Sequence, residues 1–216
     1  MIKACIFDLD GTLLDTLETI AHYCNITLEH FGYDKIDVEK FKYFAGNGSK
    51  KLIERTMREA CADEKDFEKF HSFYFNAYEE DASYKTGVFD GIKELLESLK
   101  EKGIDVFVLS NKPDVAANMA TDEFLPSLVD VTYGASDKFS LKPSPDGLHC
   151  ILKENFLSPD ECLYIGDTGV DMETGKNAGL FTIGVLWGFR EKEELIRFGA
   201  DAIVSHPSEI EKYINR

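Results

Sequence analysis

Asp8 and Asp10 stand two residues apart in Phe7-Asp8-Leu9-Asp10-Gly11-Thr12, directly after the apolar run Ile2–Phe7. Two other polar segments repeat that arrangement, and a third stands before a helix. Ser110-Asn111-Lys112 follows an apolar run ending at Leu109, and Gly166-Asp167-Thr168-Gly169-Val170-Asp171 follows one ending at Ile165. Lys142 stands before Pro143, ahead of a helical stretch. Carboxylates serve as nucleophiles, general acids and bases, or ligands for hard cations. A hydroxyl and an ammonium group hold anions. Taken singly, each segment has a plain structural reading. Asp10-Gly11 makes a turn, Ser110 caps a helix, Lys142 is a solvated charge, and Asp167 and Asp171 cap the next helix. Those readings do not explain why all four segments should meet at one edge. A calcium loop is excluded, because the glycine comes too early and no Glu stands at the twelfth position.

The elements that must bring them together are legible as short apolar runs. They are Ile2–Phe7, Asp105–Leu109, Val129–Tyr133, Cys162–Ile165, Thr182–Leu186 and Ala202–Val204. Most are continuously apolar rather than alternating, as strands covered on both faces of a parallel sheet are. Helical patterns lie between them. Ile92, Leu95, Leu96 and Leu99 share one helical face, with Gly103 as the stop. A helix is expected after Pro113, and another opening at Ser144-Pro145-Asp146 with Ser as its cap. Strand alternating with helix predicts an α/β fold, a Rossmann-like doubly wound parallel sheet. Ligands of such sheets bind beyond the carboxyl ends of the strands, where three of the polar segments stand and a loop can bring Lys142.

Residues 15–86 break the rhythm. Leu17, Ile20, Ala21, Cys24, Leu28 and Phe31 keep helical spacing, as do Phe67, Phe70, Tyr74 and Tyr78. The interval reads as an inserted α-helical domain with the aromatics as its core. The expected division is therefore 1–14 with 87–216 as the α/β core, and 15–86 as the insert.

Composition narrows the partners. The chain has 216 residues, 24 Lys and Arg against 40 Asp and Glu, and a net charge of −16. A surface this acidic is poorly suited to nucleic acid or to anionic membranes. No stretch approaches the ~18 apolar residues of a membrane span. Asp8 and Asp10 interrupt the short N-terminal apolar run, so it does not read as a signal peptide. The five cysteines are odd in number, widely spaced and without a CxxC pair. They read as free thiols, with a cytoplasmic location expected by exclusion. None of the five histidines falls in a polar segment, and all read as surface or satisfied residues.

The four segments, in this order and spacing, resemble the motifs of the haloacid dehalogenase superfamily of phosphatases along essentially the whole chain. The 15–86 interval lies where that family carries a helical cap. The resemblance implies a Mg²⁺-dependent phosphomonoester hydrolase acting on a small phosphorylated metabolite, as a monomer or homodimer. It implies Asp8 as the nucleophile that forms an aspartyl-phosphate. Asp10 is implied as the group that protonates the leaving oxygen and then activates water. An acid/base Asp at that second position argues against dehalogenation. Thr12, Ser110, Asn111 and Lys142 are the implied phosphate-binding residues, Asn111 through its backbone N–H at a helix start. Mg²⁺ is implied at the Asp8 carboxylate, the Asp10 carbonyl and Asp167. Asp171 either joins them through water or orients Lys142.

Within the insert, Gly46-Asn47-Gly48 followed by Leu52-Ile53-Glu54-Arg55 resembles the cap of phosphoglycolate phosphatases, and those three turn residues are the expected substrate contacts. Inorganic pyrophosphatases and sugar-phosphate phosphatases of the superfamily share almost every motif residue, and stand as the alternative. A phospho-receiver signalling domain is the remote one, disfavoured by the insert and by Asp10. Trp187-Gly188-Phe189-Arg190, after the fifth strand, reads equally as a substrate rim or as a helix lead-in.

Overall fold

The computed structural model describes residues 1–80 and 83–215. In chain order its first elements are β1 (Ala4–Phe7), β2 (Leu14–Asp15), α1 (Leu17–His30), α2 (Phe41–Phe44), α3 (Ser49–Glu59) and α4 (Phe67–Glu80). Next come β3 (Gly87–Val88), α5 (Ile92–Glu101), β4 (Asp105–Pro113), α6 (Asp114–Phe124), β5 (Val131–Ala135) and α7 (Asp146–Glu154). The last are β6 (Cys162–Gly166), α8 (Gly169–Ala178), β7 (Phe181–Val185), α9 (Lys192–Phe198) and β8 (Ala202–Val204). The chain divides into two compact units, Met1–Asp15 with Gly87–Arg216, and Thr16–Thr86.

In the first unit six strands form one sheet in the order β5-β4-β1-β6-β7-β8. Every pairing in it is parallel. The first strand sits inside the sheet and the order reverses around it, which makes the sheet doubly wound. Strand alternation explains the continuous apolar runs. Cys5, Phe7, Val106, Val108, Leu163 and Ile165 pack on one face with Leu95, Leu96 and Leu99 of α5 and Ala117 of α6. Ala4, Ile6, Phe107, Leu109 and Tyr164 pack on the other with Leu148, Ile151 and Leu152 of α7. Both faces are covered, so neither needs polar residues. The Ser144 hydroxyl accepts the Asp146 N–H at the start of α7. A second, two-stranded sheet joins β2 to β3 antiparallel, with Leu14 opposite Val88 and Asp15 opposite Gly87. Strands of two residues carry no periodicity, so the sequence gives no sign of it.

The second unit is helical. Leu17, Ile20, Ala21, Cys24 and Leu28 of α1 are buried, and so are Phe70, Tyr74 and Tyr78 of α4. Phe31 stacks on Phe70 with ring centroids 4.2 Å apart. Phe67 is half-buried rather than core. Cys5, Cys24, Cys61, Cys150 and Cys162 are free thiols. Among the described residues, no helix is long and apolar enough to cross a membrane.

Candidate active site

Phe7, the last residue of β1, pairs in register with Val108 of β4 and Ile165 of β6. The strands are parallel, so the residues that follow these three leave the sheet at one edge. Asp8 and Asp167 leave it there, Ser110 stands beside them within β4, and the loop before α7 adds Lys142. The Lys142 ammonium lies 2.7 Å from Asp8 Oδ1 and 2.7 Å from Asp171 Oδ1. Asp8, Asp167 and Asp171 are all buried, with ligand oxygens within 4.8 Å of one another.

Each carboxylate has a different hydrogen-bond environment. Asp8 Oδ1 accepts the Leu9 N–H at 2.7 Å as well as the Lys142 ammonium. Asp167 Oδ1 accepts the Thr12 hydroxyl at 3.0 Å, and Oδ2 accepts the Phe189 N–H at 2.8 Å. Each of its oxygens thus keeps one lone pair for a cation. Asp171 is more fully engaged. Its Oδ1 accepts Lys142 Nζ and the Tyr164 hydroxyl, and its Oδ2 accepts the Thr168 N–H and hydroxyl. Those four bonds use its acceptor capacity, and the one from the Thr168 N–H belongs to a capping box at the start of α8.

The electrostatics follow from crowding in a desolvated space. Burial, then the charges of Asp171 and Asp167 against that of Lys142, leave Asp8 well above the usual carboxylate range. Burial and Asp171 push Asp167 up to about 7. Burial also acts against the Asp171 carboxylate, but Lys142, Thr168 and Tyr164 outweigh it and hold that group below its ordinary value. Burial disfavours the Lys142 ammonium, yet Asp171 and Asp8 keep it above the usual lysine value. One ammonium among three buried carboxylates leaves an excess of negative charge. The all-oxygen donor set fits a hard divalent cation.

Two of the expected phosphate-binding residues stand in surroundings that differ from the expectation. Asn111 is not at a helix start. β4 runs on to Pro113, and α6 begins at Asp114. Proline disfavours the helical conformation in the residue before it, which keeps Lys112 extended. The Asn111 amide instead donates to the Lys142 carbonyl at 3.1 Å and accepts the Lys142 N–H at 2.9 Å, pinning that loop. Thr12 is fully buried, and its hydroxyl is directed at Asp167. Ser110 is buried within β4, where its oxygen accepts the Lys112 N–H at 3.2 Å and leaves the hydroxyl proton to donate.

Several residues around the site lack an assignment from sequence. Lys112 pairs with Asp10, Nζ to Oδ1 being 3.1 Å. Tyr164 reads in sequence as one more aromatic strand residue. The segment Trp187–Phe189 encloses Asp167: the Trp187 indole N–H donates to the Thr12 carbonyl at 2.9 Å, and Phe189 donates its N–H as above. A Cβ on Gly188 would lie 2.3 Å from the Gly11 carbonyl oxygen and 2.4 Å from Asp167 Cβ. Gly11 itself has φ +89°, and a side chain there would meet Asp167 Oδ2 at 2.4 Å. Gly188→Ala must therefore displace Asp167. If Asp167 holds a divalent cation, the substitution is expected to weaken cation binding, measured by calorimetric titration, by about 10–100-fold. Unchanged affinity would remove Asp167 from the cation site.

Gly46, Asn47 and Gly48 belong to the helical unit, in the turn before α3. Gly46 and Gly48 have φ of 106° and 84°. Arg55 ties the turn down, donating to Asn47 Oδ1 at 2.7 Å and to the Phe44 carbonyl at 2.8 Å.

The family model of haloacid dehalogenase-like hydrolases matches residues 5–185 of this sequence. The chain belongs to that family. The match takes in all four polar segments at the sheet edge. Within the family it is phosphoglycolate phosphatase-like. A phosphoglycolate phosphatase of Chromobacterium violaceum is 30% identical over 97% of this chain and 95% of its own length. An N-acetylmuramic acid 6-phosphate phosphatase of Pseudomonas putida is 28% identical over 99% and 96%. Among crystal structures, a provisionally named phosphoglycolate phosphatase from Lactobacillus delbrueckii subsp. bulgaricus superposes with a TM-score of 0.93, at 30% identity and with 98% of each chain covered.

Proposed function

We propose that this family member is a Mg²⁺-dependent phosphomonoester hydrolase that works through an aspartyl-phosphate on Asp8, with 2-phosphoglycolate or a similar small phosphate as substrate. The observation that carries the reading is Lys142. Buried, charged and 2.7 Å from Asp8, it stands where a phosphoryl oxygen next to that carboxylate would need a cation.

Asp8 attacks phosphorus, and the bond from phosphorus to the leaving oxygen breaks. Asp10, two residues further along the turn, gives that oxygen its proton. It then takes a proton from the water that hydrolyses the acyl phosphate. Ser110 donates its hydroxyl to the phosphoryl group, and Lys142 supplies positive charge. Asp171 holds Lys142 in place rather than binding metal, since its own oxygens are occupied. The Asp8 and Asp167 carboxylates and the Asp10 carbonyl would hold Mg²⁺, which supplies further neutralisation of the phosphoryl oxygens. The Thr12 hydroxyl and the Phe189 N–H orient Asp167 for that task. The Thr16–Thr86 unit is the cap in this reading, and its Gly46-Asn47-Gly48 turn is the substrate-reading segment.

The test is phosphate release with Mg²⁺ from 2-phosphoglycolate, pyrophosphate, N-acetylmuramic acid 6-phosphate and a set of sugar phosphates. The expected result is kcat/KM at least tenfold higher for 2-phosphoglycolate, ~1.4 kcal/mol of transition-state discrimination. A preference for another member of the panel would discard the substrate and keep the chemistry. No release from any of them would overturn the hydrolase reading.

A further inference from the structure

We propose that Lys112 is a positioning residue that fixes the plane and direction of the Asp10 carboxyl group; this rests on the reading of Asp10 as the acid and base. Lys112 Nζ lies 3.1 Å from Asp10 Oδ1 and 3.5 Å from Oδ2. Only 6% of the lysine side chain is exposed, against 20% of the aspartate's. A lysine stem this buried is no solvated surface charge.

The backbone dictates the arrangement. An extended chain sends alternate side chains to opposite sides. Between Ser110 and Pro113, Asn111 bonds the Lys142 loop while Lys112 reaches Asp10. The strand end therefore braces both halves of the chemistry, with Lys142 beside the nucleophile and Lys112 beside the acid. An aspartate in a turn has several staggered side-chain conformers. The ammonium group selects one. It bonds Oδ1 more closely than Oδ2, so Oδ2 is the oxygen left to carry the transferable proton. A protonated carboxyl still accepts at its carbonyl oxygen, and the Lys112 contact is compatible with both protonation states. As Asp8 Oδ bonds to phosphorus, the leaving oxygen departs with the electron pair and takes the proton from Asp10 Oδ2.

A residue that aims a general acid has a signature that a merely structural residue lacks. Its removal matters most when the leaving oxygen is strongly basic. Phenyl phosphate and p-nitrophenyl phosphate have nearly the same shape and differ in that basicity, and kcat/KM reports the steps through formation of the acyl phosphate. Lys112→Met is expected to lower kcat/KM for phenyl phosphate about 10–100-fold and for p-nitrophenyl phosphate less than about 3-fold. Lys112→Arg is expected to recover part of the loss. In an Asp10→Asn background, Lys112→Met should have no further effect on either substrate. Lys112→Gln carries the same test if the Met variant does not fold. Equal losses on both substrates would overturn the proposal, as would an effect confined to KM or a full additional loss in the Asp10→Asn background. Failure of the hydrolase reading looks different. In that case the unaltered protein releases no phosphate from either ester, or Asp8→Asn releases it as fast.

Discussion

Asp8→Asn should give a protein that folds, melts at or above the temperature of the unaltered chain and releases no phosphate. The amide has nearly the same shape as the carboxylate but cannot attack phosphorus at a useful rate. A loss of at least ~10⁴-fold in kcat is expected, on the scale seen when a nucleophile is removed. Stability should move the other way. Burial first, and Asp171 second, raise the Asp8 carboxyl well above its ordinary value. A carboxyl raised in the folded state stabilises the fold while it is protonated, and that contribution is lost as pH rises through the folded value. The amide needs no proton. Its stability advantage over Asp8 should therefore be small at pH 5 and largest at pH 8. Thermal melts at the two values check this beside a phosphate-release assay. Turnover at the normal rate would end the assignment of Asp8 as nucleophile.

Lys142→Met should be costly in both respects. It removes the one ammonium that touches Asp8 and Asp171, each at 2.7 Å. Breaking a buried ion pair from one side typically costs ~3–5 kcal/mol, because the remaining charge has no partner. Asp171, held below its ordinary value mainly by Lys142 against the effect of burial, would bear most of that loss. The penalty should shrink at acid pH, where protons can replace the missing charge, and deepen toward pH 8. Urea unfolding at pH 5 and pH 8 reads the difference directly. Loss of a charged donor to the phosphoryl group should also lower kcat/KM by at least ~10²–10³-fold. A variant as stable as the unaltered protein at pH 8 would contradict the buried bridge.

The sheet was legible because its strands are covered on both faces. Runs such as Cys162–Ile165 therefore consist of apolar residues throughout, and the polar residues that follow them stand out. That contrast marks Asp8, Ser110 and Asp167. What was not legible depends on backbone or on neighbours distant in sequence. Phe189 acts through its N–H, and Gly188 through the absence of a Cβ. Neither act leaves a mark in the residue type. Lys112 looks like any lysine after a strand until Asp10 is placed beside it. The misplaced helix start at Asn111 had a usable signal in Pro113, which keeps the preceding residue extended. Asp171 was ambiguous because carboxylates that cap, pair or ligate share one spelling, and only the four donors around it separate those roles.

The placement of the first strand bears on how the polypeptide is made. Residues 4–7 are paired with 105–108 on one side and 162–165 on the other. The strand is synthesised roughly a hundred residues before β4, and longer still before β6. At ~5–20 residues per second, that is a wait of several seconds for an apolar segment with both edges open. The intervening helical unit, Thr16–Thr86, is complete in sequence before β4 is made and can form during that wait. Asp8, attached to the end of that strand, is thus synthesised well before the strands that set its position.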